Sequence, residues 1–124
     1  MRIRRRKRDD RVQRVAERPS PTRPGGELVQ IYLRAQNLEQ MRHTDEAAAL
    51  YEEAVAARFD AAGPYDRLIA IYGGRNDHVA VRRIAEAALV NVRTHDQKLE
   101  WYESVRSGAV EAEGGQGDRR GAEF

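Results

Sequence analysis

The chain has 124 residues, 40% of them apolar and 34% charged, with a formal net charge of +2 and no cysteine. Such a length fits one small domain with a highly charged surface. The composition excludes disulfides, thiol catalysis and thiolate-bound metals, and with no apolar run near ~18 residues it excludes a spanning helix.

The charge is segregated along the chain. Residues 1–24 hold 10 basic against 3 acidic residues, a net of +7, and the remainder carries −5. The basic arm is densest at Arg4, Arg5, Arg6, Lys7 and Arg8. Few large apolar residues accompany it, so it cannot offset the entropy of ordering, and residues 1–26 are expected to be disordered. Its arginines are not followed by an apolar stretch, which argues against a secretory signal. A cytoplasmic location is expected. Pro19, Pro21 and Pro24 stop any helix before Gly25-Gly26, which reads as a hinge.

Five helical stripes follow in chain order. Leu28, Ile31, Ala35 and Leu38 form the first, closed by Met41. Ala47, Tyr51, Ala54 and Val55 form the second, after Thr44-Asp45 as its N-cap. Gly63-Pro64 places proline where a missing N–H is harmless, ahead of Tyr65, Leu68, Ile69 and Tyr72. Gly73-Gly74 ends that helix. Asn76-Asp77 starts the next, which carries Ala80, Ile84, Ala87 and Ala88. Thr94 through Gln97 matches a capping box, and Leu99, Tyr102 and Val105 form the fifth stripe beside Trp101. Ser107-Gly108 reads as a stop. The glycine-rich residues 108–124 are expected to be a disordered tail, which leaves residues 27–107 as the folded domain.

The pairs repeat. A shift of 33 residues places Tyr32 on Tyr65, Arg34 on Arg67, Arg42 on Arg75, Ala47 on Ala80 and Tyr51 on Ile84 without a gap. The stretch Arg42-His43-Thr44-Asp45-Glu46-Ala47-Ala48-Ala49-Leu50-Tyr51-Glu52-Glu53-Ala54 resembles the turn and second helix of a tetratricopeptide repeat. Ala47, Tyr51 and Ala54 match its small–aromatic–small packing positions. Phe59 through Tyr72 is also similar to small bacterial proteins of this class. The resemblance covers about residues 27–93. It implies an all-α fold of two antiparallel helix-turn-helix pairs plus a capping helix, flanked by the two tails. The match has departures: Leu68 stands where the family has a small residue, and the repeat-ending proline is displaced to Pro64.

Chemistry is scarce. His43, His78 and His95 share no metal-ligand spacing, so no metal or cofactor is expected. The adjacent pairs Glu52-Glu53 and Asp9-Asp10 point about 100° apart on a helix and cannot share one site. Ser20, Ser104 and Ser107 have no base near in sequence. No enzyme activity is expected.

The resemblance implies instead a concave groove that holds a partner segment. Carried over residue by residue, the groove takes Tyr32, Gln36, Glu39 and Gln40 from the first helix and Tyr65, Ile69 and Tyr72 from the third. Tyr102 comes from the cap. The tyrosines have two readings: recognition anchors along the groove, or packing residues between helices. The functional expectation is a non-enzymatic adaptor or scaffold for an unidentified protein or peptide, with homo-oligomerisation open. The alternative is association with nucleic acid or another anionic surface through the arm, whose charge would displace condensed counterions.

Overall fold

A computed structural model of the chain describes residues 25–122, with side chains described for residues 26–115. Five helices follow one another: α1 (Gly25–Gln40), α2 (Thr44–Ala56), α3 (Gly63–Gly74), α4 (His78–Asn91) and α5 (Asp96–Ala122). There is no strand among the described residues. Each helix packs chiefly on its neighbours in sequence, which makes a layered antiparallel stack. The basic arm lies outside the described residues.

Small residues set the spacing of the layers. Ala35, Ala47, Ala54, Ala85 and Ala88 are fully buried and let the helix axes approach closely. Tyr51, Tyr65, Leu68, Ile84 and Tyr102 fill the space between them. A smaller cluster of Leu28, Ala54, Ala57 and Phe59 closes the far side of α1 and α2. Gly63 stands where α3 meets α1. A Cβ there would sit 2.5 Å from the Tyr32 ring, so the first residue of α3 is left bare for that tyrosine.

The helix ends obey one rule with an unusual residue choice. His43 N–H bonds to Leu38 C=O and Arg42 N–H to Glu39 C=O, a Schellman closure. The same bonds recur as Asp77 to Tyr72 with Asn76 to Gly73, and as Phe59 to Ala54 with Arg58 to Val55. The left-handed residue of each closure is not glycine but Arg42 (φ 68°), Asn76 (φ 57°) or Arg58 (φ 62°). The turns after α1 and α3 therefore repeat at 34 residues. This corrects the ungapped 33-residue shift. In the 34-residue register the buried Ala47, Tyr51 and Ala54 fall on the buried Val81, Ala85 and Ala88, while the facing stripes of α1 and α3 still align at 33.

Two caps differ from expectation. His43, not Thr44, occupies the N-cap of α2, and its Nδ1 meets Glu46 Oε1 at 2.8 Å. At α5 His95 Nδ1 accepts from Lys98 N–H at 3.3 Å, so the capping role expected of Thr94 falls to His95. Asp77 does cap α4, accepting from Ala80 N–H. Pro64 stands in the first turn of α3.

The boundary expected at Ser107-Gly108 is too early. α5 runs through both residues, Ala109 is buried, and Glu113 accepts from Arg82 of α4 at 2.9 Å. A glycine inside a helix costs only about 1 kcal/mol, less than a buried side chain and an interhelical ion pair restore. The expectation of disorder fails for residues 108–113 for this reason.

Two outcomes test the packing. Arg58→Gly removes the cost of a left-handed non-glycine residue, so stability should rise by up to about 1 kcal/mol, a few degrees in Tm. Ala54→Trp should cost about 1–3 kcal/mol or more through overpacking. Thermal melts followed by circular dichroism measure both.

Candidate functional site

The stack is cross-tied by three carboxylates, and each holds a tyrosine hydroxyl and a cation. Glu39 of α1 accepts from Tyr51 of α2 at 2.8 Å and from Arg67 Nε of α3 at 3.1 Å; Arg67 Nη2 binds its other oxygen. Glu52 of α2 accepts from the Tyr72 hydroxyl of α3 and from both amino groups of Arg83 of α4, at 3.1 and 2.8 Å. Asp66 of α3 accepts from Tyr102 at 2.8 Å and Lys98 Nζ at 2.9 Å, both of α5. Helical spacing explains the arrangement. Each carboxylate sits at the edge of its own apolar stripe, where it meets the next layer.

The electrostatics follow from these contacts. The Arg67 hydrogen bond holds the Glu39 carboxyl below its ordinary value against the opposing effect of burial, and Tyr51 adds to the lowering. At Glu52 burial pushes upward, but the bonds from Arg83 and Tyr72 outweigh it and the value is lowered. Burial and the neighbouring carboxylate push the Tyr72 hydroxyl up to about 12. Burial, then the carboxylate, also raises Tyr51 and Tyr102. These hydroxyls stay protonated donors.

A cleft of about 330 Å³ opens beside the first of these ties, lined by Gln36, Glu39, Gln40, Tyr51 and Arg67. Three of the expected groove residues, Gln36, Glu39 and Gln40, are thus brought together. Gln36 Nε2 donates to the Tyr32 hydroxyl at 3.0 Å, and the half-buried Tyr32 ring lies 6.0 Å from that of Tyr51. The exposed Val29 and Leu33 continue the line of Gln36 and Gln40 along α1, at i, i+4, i+7 and i+11.

Other expected groove residues are elsewhere. Tyr65 and Tyr102 are fully buried, so neither presents a surface to a partner. Tyr65 donates to the Phe59 carbonyl at 2.6 Å and Tyr102 to Asp66. Buried hydroxyls need such partners, and here the partners lie inside the stack. Tyr72 is half-buried with its hydroxyl on Glu52, and Ile69 packs on the core. Tyr65 and Tyr102 pack between helices, and Tyr72 and Ile69 are half-buried against the same core.

Arg67 and Tyr51 are the cleft residues that were not expected there. The Arg34–Arg67 equivalence was the available signal, since a repeated arginine at a layer edge marks an interlayer contact. On α5, Trp101 is 41% exposed, with Lys98 Nζ 4.3 Å from its ring centroid. Arg4, Arg5, Arg6, Lys7 and Arg8 lie outside the described residues. No helix among the described residues is long and apolar enough to cross a membrane.

The lowered carboxylates give the fold an acid limit. Their stability is fully present above the ordinary carboxylate value of 4.5 and is lost as pH falls through their lower folded values. Denaturant melts should show near-constant stability from neutral pH down to about pH 5 and a decline below it. Glu39→Gln with Glu52→Gln should lower stability at pH 7 and flatten the acid decline.

No family model, curated protein or solved structure matches the chain.

Proposed function

We propose that the chain is a non-enzymatic interaction module of the tetratricopeptide-repeat type that holds an extended partner segment along the exposed edge of α1. The supporting observation is the cleft formed by Gln36, Glu39, Gln40, Tyr51 and Arg67, with Val29 and Leu33 continuing its rim. The Glu39–Arg67 pair satisfies its own charges, so the cleft favours a neutral, peptide-like ligand over an ion. The two glutamines carry both donors and acceptors, which suits a peptide backbone. Val29 and Leu33 supply apolar area for one or two partner side chains. Tyr51 and Arg67 are locked by Glu39, so the cleft wall is preorganised and little ordering cost falls on binding. The interaction does not use the arm.

A photocrosslinking residue in place of Gln40, and separately in place of the 82% exposed Val90 on α4, tests this reading in the source cell's extract. The Gln40 position should yield a discrete adduct that the Val90 position does not. Val29→Ala with Leu33→Ala should reduce its yield about tenfold, the loss expected for ~1.4 kcal/mol of contact energy. The Tm should stay unchanged, because both side chains are exposed. Adducts of equal yield from both positions, or from neither, would count against the proposal.

A further inference from the structure

The two helix pairs show what each layer expects to meet on its N-terminal side. In the second pair Pro64, Ile71 and Ile84 are buried, and Ile71 and Ile84 share a core cluster with Ala35 and Tyr51 of the first pair. Their counterparts Ile31, Leu38 and Leu50 are only half-buried, and Met41 beside them is 57% exposed. The charges follow the same rule. Arg67 and Arg75 of the second pair reach back one layer, to Glu39 and to Asp45 at 2.6 Å. Arg34, the counterpart of Arg67 one repeat earlier, and Arg42, in the turn that follows α1, are exposed, and their side chains make no hydrogen bond or ion pair among the described residues. The α1–α2 face thus has the apolar centre and reaching arginines of an interlayer surface, with no described layer against it.

The other end of the stack carries the complement. Asp96, Leu99, Glu103, Arg106 and Val110 lie on one stripe of α5, at i, i+3, i+7, i+10 and i+14. Leu99 is half-buried, its inner side on the chain's own core, and Val110 is 44% exposed. Asp96, Glu100 and Glu103 are exposed carboxylates with no cation partner among the described residues. Elsewhere in the stack, interlayer carboxylates are held by arginine or lysine.

We propose that a second copy of the chain stacks its α5 face on the α1–α2 face of the first. Leu99 and Val110 of one copy cover Ile31, Leu38 and Met41 of the other, and Asp96, Glu100 and Glu103 meet Arg34 and Arg42. The contact is heterologous, since different faces meet, and each added copy leaves one face of either kind free. The stack therefore continues from chain to chain, as repeats do within one chain.

Sedimentation velocity of the full chain over a wide concentration range, at low and high salt, is the first measurement. The average mass should climb past that of a dimer with concentration and fall with added salt. Two charge-reversed chains then isolate the faces. R34E with R42E makes both ends acidic, and E100R with E103R makes both ends basic. Each variant alone should associate at least tenfold more weakly than the parent, with unchanged circular dichroism. An equimolar mixture should recover association, because acidic and basic faces then alternate. The proposal is overturned if the parent stays monomeric at low salt, if either variant associates like the parent, or if the mixture fails to recover. Association that persists in R34E/R42E and disappears on deleting residues 1–24 would assign it to the arm instead. The readout is mass alone, so it stands apart from partner capture at the cleft.

Discussion

A tyrosine hydroxyl placed between two helices must find an acceptor, and for Tyr51, Tyr72 and Tyr102 the acceptor is a carboxylate that also binds a cation. Glu39, Glu52 and Asp66 each satisfy that requirement once, and together they join every layer of the fold. The constraint has force because the apolar core is modest. Many of its buried residues are alanines, which bring backbones close but cover little area. The large aromatic rings provide that area, and their polar tips dictate where the carboxylates stand. Helix register is then a consequence of hydrogen bonding as well as of hydrophobic fit.

The same arrangement decides which side chains are left on the open edge of α1. The tyrosine rings turn inward because their hydroxyls are held inward, and the open edge is left to Val29, Leu33, Gln36 and Gln40. The cleft beside Glu39 owes its rigid wall to the Tyr51 and Arg67 bonds. The ties and the cleft wall are therefore built from the same residues, with glutamine and aliphatic side chains outermost.

Much of the architecture was legible from spacing alone. The apolar stripes place all five helices, and Gly63-Pro64 and Asn76-Asp77 mark starts that the structure keeps. Local signals were weaker where the deciding partner is distant. Nothing near Gly108 reveals that Ala109 is buried or that Glu113, 31 residues from Arg82, pairs with it. The burial of Tyr65 and Tyr102 was hidden for a similar reason. Tyr102 and Asp66 are 36 residues apart, and that pairing appears only when α3 and α5 are laid side by side. Gln36, Glu39 and Gln40 were named through the resemblance to the repeat family, whose groove positions they match along one helix. Arg67 on the neighbouring helix was not. The arginines at Arg42 and Arg58 occupy left-handed positions that a reader of sequence reserves for glycine, so those helix ends carry no local mark.

The layered order also governs how the molecule comes apart. Contacts join mainly consecutive helices, so few pairings wait on the closure of long loops, and assembly from local pieces is fast. The three ties overlap in sequence: the first spans α1 to α3, the second α2 to α4, and the third α3 to α5. Release of α1 therefore breaks the Glu39 tie and leaves the other two intact, and release of α5 breaks the Asp66 tie and leaves the first two. Opening proceeds as graded steps from either end, and amide protons of α3, held by all three ties, are the last to exchange.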